Sequence, residues 1–523
     1  MNSRPFARSL RRVRLPDAGV LVPVILSLAF FALLAVFVQV DPAHGVTAST
    51  SPWTDEGWNV SNARDLVMFG TWATDAWQMW LVNLPFSALQ AAWLAISGVG
   101  IVQARLLVIA AAACSLAGLG IGLRRSLSSA GAAIAVAALG GSALFLYYGR
   151  LAYLEPLVTL WLILAQVALA RERASTGAGI VAGIGIALAV ATKASAAAAA
   201  AGLVVGVAVA GVRDPSTRRA VLAALGTVAI LGAVWAVVFA LPRTGAVATD
   251  LRIWASEPLP RTLPELLVRI RTYAYRSDGG IPLALPLLVG GFAGAVASIA
   301  RYRSLTPARR RVALGSIGWF VAGMAVLLVV PYRPNRYLVP LLPPLAVLAG
   351  LGFAVLTAGA APGRLQGRAA APLAGAARAS TASDPRSVGR DRRRLSLVPF
   401  AALALAVALA APGLALFGRW VATSPSTLPG IQARIALLMP PGSAVQGDLA
   451  PILAMRADAV TIVSRPSSGV NAGDLYATRH VRWVLTTGAA PQWAALHPRA
   501  WSSRLRELCV SWGPGETCLY RLP

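Results

Sequence analysis

Acidic residues are scarce in this chain. Only 20 Asp and Glu stand against 47 Lys and Arg in 523 residues, a net charge of +27. Charged residues of both signs make up 13% of the sequence, about half the ~25% usual in soluble globular proteins. That shortage excludes an ordinary water-soluble domain. Lysine occurs once, at Lys193, and every other basic residue is an arginine. Those arginines are dispersed between apolar runs and form no patch, which argues against a nucleic-acid partner. Histidine occurs three times, and His480 and His497 lack metal-ligand spacing. Short alternating apolar and polar segments, the mark of a membrane β-barrel, are missing as well.

What the sequence does have is long apolar runs. It is 57% hydrophobic with a mean hydropathy of +0.66. Several runs reach the ~20 residues that span a bilayer as a helix. The pattern predicts an α-helical polytopic membrane protein with about eleven spans. They fall near 19–40, 97–123, 128–148, 154–170, 177–193, 194–211, 219–241, 281–300, 312–331, 338–358 and 396–417.

Charge then predicts sidedness. Residues 1–18 carry the basic run "RPFARSLRRVR", and no small-residue cleavage site follows the apolar run behind it. With this terminus in the cytoplasm, the loops 123–126, 171–175, 212–219, 301–311 and 359–395 also fall inside. Together with the terminus they hold 25 of the 47 basic residues but only 5 of the 20 acids. Basic loops inside are what the positive-inside rule expects. The reading is a multi-pass protein of the plasma (inner) membrane with its carboxyl terminus outside. Residues 359–395, rich in Arg, Ala, Gly, Ser and Pro without periodicity, read as a disordered cytoplasmic linker. Attraction to anionic membrane lipid is the simpler role for it, and protein binding the alternative.

Three regions outside the membrane are large enough to build something: 41–96, 242–280 and 418–523. The first contains "SPWTDEGWNVSNARD" and six of the 15 Trp: Trp53, Trp58, Trp72, Trp77, Trp80 and Trp93. Interfacial anchoring or sugar stacking would explain them. A helix from Glu56 to Phe69 reads as amphipathic and lying on the membrane surface. The second region, with a helix expected at 263–275, suits an active-site cover. The third shows short β-rich runs and predicts a small α/β domain. Cys509 and Cys518 flank the turn "GPGE" and suit a disulfide. Cys114, within a helix, reads as packed.

Four polar sites sit where a membrane protein needs a reason for them. Asp55 and Glu56 are adjacent at a helix start, either as a helix-terminal signal or as carboxylates able to accept a hydroxyl proton. Arg150 and Glu155 bracket a short turn, as a local ion pair or as the rim of a cavity. Lys193 has no acid near it in sequence, and either snorkels or meets a phosphate. Arg333, Arg336 and Tyr337 lie in a Pro-rich turn, as interfacial anchors or as a fork for phosphate oxygens. Carboxylates and fixed cations on one face of a helical bundle fit transfer from a lipid phosphate: an acid activates the acceptor, and cations stabilise the charge that develops on the leaving group.

These residues resemble the GT-C superfamily of polyprenyl-phosphate-sugar glycosyltransferases. The branch is the bacterial one related to protein O-mannosyltransferases and the aminoarabinose transferase of lipid A (family 39, ArnT-like). The likeness rests on the "DE" of the first loop, on Pro85, on Ala104-Arg105-Leu106, on "GRLAYLEP", on Thr192-Lys193 and on "NRYLVPLLPPLAVLAG", in that order over residues 19–358. It implies inverting transfer of a sugar from a polyprenyl-phosphate donor to a glycan, lipid or protein acceptor on the outer face. Asp55 would be the general base with Glu56 beside it. Lys193 and Arg336, with Tyr337 and Arg333, would bind the donor phosphate, and Arg150 and Glu155 would shape the cavity. In some relatives such acids touch a divalent metal. The family's His-Pro-Pro-like run is replaced here by "VNLPFSAL" at 82–89. The rival class is a transporter or lipid flippase, which would show internal repeats; no clear repeat is present.

Overall fold

The computed structural model describes residues 18–42, 54–248, 260–274, 280–330, 334–358, 385–463, 471, 473–512 and 515–523. Arg333, Trp53, residues 249–259 and 275–279 of the loop expected to cover the site, and residues 359–384 of the expected linker lie outside them. All eleven apolar stretches are helical. In chain order the helices are α1 (Ala18–Val36), α2 (Thr54–Phe69), α3 (Leu84–Ser97), α4 (Ile101–Gly140), α5 (Ala143–Gly149), α6 (Glu155–Leu169), α7 (Thr176–Thr192), α8 (Ala196–Ala210) and α9 (Pro215–Trp235). They continue with α10 (Leu263–Ala274), α11 (Gly280–Ala300), α12 (Pro307–Val329), α13 (Leu342–Ala358), α14 (Pro385–Thr423) and α15 (Leu428–Leu438). Among the described residues seven helical segments are long and apolar enough to cross a membrane, and α3, α6, α7 and α8 are shorter apolar helices. The chain is a multi-pass membrane protein.

The second and third expected spans are two helices that meet at a kink at Ser128 (φ 66°, ψ 163°) and are numbered together as α4. That conformation is costly for any residue with a Cβ, and it marks the reversal between them: a Cβ on Gly120 would stand 2.8 Å from Val136, and one on Gly140 3.1 Å from Leu116. One boundary differs from the sequence reading. Helix α14 begins at Pro385, so residues 385–395 are helical and not linker.

In lipid, helices gain little by hiding apolar surface from one another, and small residues that let backbones approach take over. Gly202 and Gly206 of α8 lie against α12. A Cβ on either would sit 2.0 Å from the carbonyl oxygen of Gly318 or Leu314. Gly179 and Gly183 of α7 meet α9 in the same way, 2.1 and 2.6 Å from the carbonyls of Ala220 and Ala224.

The basic loops meet at one end of the bundle. Arg309 donates to the Ser126 carbonyl at 2.8 Å. Arg311 donates to the carbonyls of Leu169 and Arg171 and to Thr217 Oγ1. It also lies 3.6 Å from Asp214. Four loops expected on one side are thus held together by hydrogen bonds.

The carboxyl-terminal part is α/β, as predicted. Strands β1 (Ser443–Gln446), β2 (Ala459–Ile462), β3 (Trp483–Thr486), β4 (Leu505–Trp512) and β5 (Gly515–Arg521) lie in the order β2-β1-β3-β5-β4. β1 is parallel to both β2 and β3, and β5 is antiparallel to β3 and β4. Cys509 and Cys518 face each other across the β4–β5 hairpin and form a disulfide, with Cα atoms 4.1 Å apart. Cys114 is exposed on α4, not packed.

Helix α2 is not a surface helix. Trp58, Val60, Ser61, Asn62, Ala63, Arg64 and Asp65 are all buried. The carboxyl-terminal unit covers one side of it and the helical bundle the other. Helix α10 forms at Leu263–Ala274, close to its expected place, with Leu263, Leu267 and Val268 exposed.

Candidate active site

Consecutive side chains on a helix point about 100° apart. At the start of α2 this sends Asp55 and Glu56 to different partners. Glu56 is fully buried and takes both nitrogens of an equally buried Arg105, Nε at 2.8 Å and Nη2 at 2.7 Å. Its Oε1 also accepts the Ala152 amide at 2.8 Å. Arg105 donates onward to the carbonyls of Val38 and Val40. Arg150 donates to the carbonyls of Val40 and Asp41. The Asp41 carboxylate in turn accepts from the Thr427 amide and hydroxyl and from the Leu428 amide, capping α15 from a distance. The end of α1, the start of α2, helix α4, the α5–α6 turn and the start of α15 are therefore joined by one buried network.

Asp55 points the other way, to Arg336, with Oδ2 2.7 Å from Nη1. Arg336 Nε lies 3.4 Å from Glu155 Oε1, and Lys193 Nζ lies 2.5 Å from the same oxygen. Lys193 Nζ stands 3.6 Å above the Tyr337 ring. The Arg336 guanidinium lies 5.2 Å from the Tyr153 ring centre and 5.5 Å from that of Tyr337. The side chains of Asp55 and Lys193 are each 14% exposed, Arg336 7% and Glu155 1%. Glu155 is thus the buried anchor, and Asp55 and Lys193 are the least enclosed side chains of the four.

Local sequence explains each placement. Glu155 opens α6 with Pro156 behind it, a residue favoured in the first helical turn. Lys193 follows the last residue of α7 in extended backbone (φ −160°, ψ 117°), which turns it off the helix axis. Arg336 and Tyr337 lie in a 3-10 turn, Asn335–Leu341, that follows Pro334 and contains Pro340. Proline disrupts regular α-helical bonding there.

The structure brings Asp55, Glu155, Lys193, Arg336 and Tyr337 together, as the sequence suggested. Two expectations need correction. Arg150 is fully enclosed, with its Nη atoms on carbonyls and its guanidinium 5.7 Å from the Tyr147 ring, so it braces the network and does not line a cavity. It forms no pair with Glu155, whose partners are Lys193 and Arg336. Glu56 faces Arg105, away from the Asp55 cluster. Arg333 lies outside the described residues. The sequence reading missed the roles of Arg105, Asp41, Tyr153 and Arg64. Arg105 did carry a signal: a charge inside an apolar span.

The carboxyl-terminal unit grips the far side of α2. Arg64 donates to the carbonyls of Met455, Ala457 and Ala459 at 2.7–2.8 Å and pairs with Asp65 at 3.0 Å. Burial lowers the pKa of Arg64 and raises that of Asp65. Trp58 Nε1 donates to the Asp448 carbonyl at 3.0 Å. Gly57 lies so close to Ile452 that a Cβ would stand 2.5 Å from its nitrogen. Beyond α2, Asp75 accepts from the amides of Trp77 and Val463 and from Asn471 Nδ2. Burial pushes the Asp75 carboxyl up to about 7. Trp58 and Trp77 pack in a buried cluster with Met79 and Val463. Trp80 lies between the Trp72 ring at 5.2 Å and the Arg243 guanidinium at 5.3 Å. Most of these tryptophans therefore join the loop to its neighbours.

The carboxylates do not form a metal-ligand set. Asp55 and Glu155 each face cations, and Glu56 is saturated by Arg105 and Ala152. Among the described residues the only grouping of three candidate ligands is Cys509, Glu516 and Cys518, where the two sulfurs are bonded to each other.

No family model and no curated protein matches the chain. Among solved structures it is similar to ArnT from Cupriavidus metallidurans in the apo state, with TM-score 0.58, 17% identity, and 95% of this chain and 97% of that one covered. It is also similar to the same protein bound to undecaprenyl phosphate, with TM-score 0.55, the same identity and the same coverage. The chain therefore shares the GT-C-like fold implied by the resemblance, over nearly its whole length.

Proposed function

We propose that the chain is a membrane glycosyltransferase moving a sugar from a polyprenyl-phosphate donor to a glycan, lipid or protein acceptor. One observation carries the reading: Asp55, Arg336, Glu155 and Lys193 form a single ion-paired chain whose least enclosed side chains, Asp55 and Lys193, stand at its two ends. The similarity to a structure solved with undecaprenyl phosphate supports the donor class. The site lies at the end of the bundle opposite the basic loops, and the positive-inside rule then supports reading it as facing the outer side of the plasma membrane, with the amino terminus inside.

Two carboxylates and two cations make the cluster neutral. A donor phosphate contributes negative charge and competes with Asp55 for the Arg336 fork, while Lys193 offers a further cation. Glu155 holds both cations in place before the donor arrives, so little reorganisation is needed. Displaced from Arg336, Asp55 is free to accept the proton of an acceptor hydroxyl. The acceptor oxygen bonds the anomeric carbon from the face opposite the phosphate. The bond from that carbon to the phosphate oxygen breaks, its electron pair stays on the phosphate, and the configuration inverts. Glu56 acts as a positioning residue, because its bond to Arg105 fixes the turn that carries Asp55.

The test is transfer in reconstituted membranes, with a panel of labelled polyprenyl-phosphate sugars and wild type compared with Asp55→Asn and Lys193→Ala. Consumption of one donor by wild type and its loss in both variants is the expected result. Lipid crossing the bilayer with no donor consumed would replace the reading with a flippase.

A further inference from the structure

A second site lies on the carboxyl-terminal unit, apart from the residues just described. A cleft of about 750 Å³ opens where α15 ends and strands β1 and β3 begin. Its walls include Arg479, His480, Arg482, Trp483, Glu507 and Arg521. Ligand clefts commonly hold about 300–1,000 Å³.

Its charge is one-sided. Glu507 is the only acid in the walls, and Arg521 already neutralises it at 2.7 Å. Arg482 has no carboxylate within 4 Å among the described residues; its guanidinium lies 4.9 Å from the Tyr476 ring centre. Arg479 uses Nη1 on the Thr74 carbonyl at 3.1 Å and likewise pairs with no acid there. Both arginines are exposed. His480, between them, holds a left-handed backbone (φ 50°), uncommon outside glycine. The floor is built on paired backbone: Leu522 donates its amide to the Arg482 carbonyl at 2.7 Å, and Trp483 faces Arg521 in the β3–β5 ladder. Two guanidinium groups without acidic partners, set in the walls of a concave cleft, match oxyanions in fork geometry. A flat bilayer surface cannot enter a cleft, whereas a chain of sugars can.

We propose that this cleft binds an anionic oligosaccharide, one bearing phosphate or carboxylate groups, and so holds the acceptor of the transfer reaction. The acceptor role rests on the glycosyltransferase reading; the binding does not. Arg479 and Arg482 supply the recognition, and the Arg521–Glu507 pair closes one wall.

The experiment uses the full chain in lipid nanodiscs. Three labelled tetrasaccharides serve as probes: an oligogalacturonate, a glycerol-phosphate-substituted chain and neutral maltotetraose. Inorganic phosphate and glycerophosphoglycerol are added as competitors. Both anionic probes are expected to bind at least tenfold more tightly than the neutral one. Arg482→Glu should weaken them at least tenfold. Arg499→Glu, the same charge change at an exposed position outside the cleft, should weaken them less than twofold. Equal losses in the two variants, or binding of maltotetraose as tight as that of the charged probes, would overturn the proposal. So would full displacement by glycerophosphoglycerol at millimolar concentration, which would assign the cleft to lipid headgroups. With an active donor, Arg482→Glu should raise the acceptor KM and leave kcat and donor KM unchanged; an unchanged acceptor KM would sink the acceptor role. Probe binding without transfer from any donor would instead remove the transferase reading and keep the cleft.

Discussion

Neighbouring carboxylates at the start of α2 have opposite fates, which makes them separable by mutation. Asp55→Asn keeps the shape of the side chain and removes its basicity. It is expected to fold normally and lose transfer by at least 10²-fold, read as initial rate at saturating donor, in line with a lost general base. Glu56 and Arg105 are a different case. Removing one partner of a fully buried pair leaves the other uncompensated, at a cost of about 3–5 kcal/mol. Arg105→Met and Glu56→Gln should each lower the thermal unfolding temperature sharply, and the double variant should lose less than the sum of the two. An additive loss would mean that the pair is not coupled. Asp55, Glu155, Lys193 and Arg336 were legible in the sequence because charge is so rare here that each one needed a reason. Their partners were not. Nothing local pairs Glu155 with Lys193 in preference to Arg150, because the choice depends on where α7 ends and how it leans on α6.

At the scale of elements, the helices themselves were readable from hydropathy, and their contacts were not. The approach of α8 to α12 depends on Gly202 and Gly206. Either glycine changed to Leu would push a side chain into backbone 2.0 Å away and should destabilise the bundle by about 1–3 kcal/mol or more. Gly226→Leu is the control, since a Cβ there meets nothing within 4 Å. Comparable unfolding temperatures for Gly202→Leu and Gly226→Leu would disprove the close contact. Helix α2 was the clearest misreading. Its polar residues looked like a solvated face, yet Asn62 donates to the Trp77 carbonyl and Arg64 to backbone of the carboxyl-terminal unit. A sequence shows that a side chain is polar, but not that a carbonyl about 390 positions away will meet it.

For the molecule as a whole, the joint between the first loop and the carboxyl-terminal unit should respond to pH. Asp75 sits in that joint with its pKa raised to about 7 by burial, and Asp65 adds to the rise. The folded state therefore holds the proton more tightly than the unfolded chain does. The stability from the protonated group is fully present below the ordinary aspartate value near 3.8 and is lost as pH rises through about 7. Thermal unfolding of wild type should fall between pH 5 and 8. Asp75→Asn should be less stable throughout, because its amide faces donors, and should show a flatter pH slope. An unchanged slope would place the titrating group elsewhere.

The reach of Arg64 has a consequence for how the protein is made. Its three carbonyl partners lie 391, 393 and 395 residues further along the chain. The ribosome therefore delivers the helix carrying Asp55 long before the segment that locks it. Until residue 459 has emerged, the guanidinium lacks its complete seat and the helix its cover. A prematurely terminated product would keep all the charged cluster residues yet hold its first acid on an unsecured helix. Synthesis past residue 459 thus becomes a condition for seating the helix that carries Asp55.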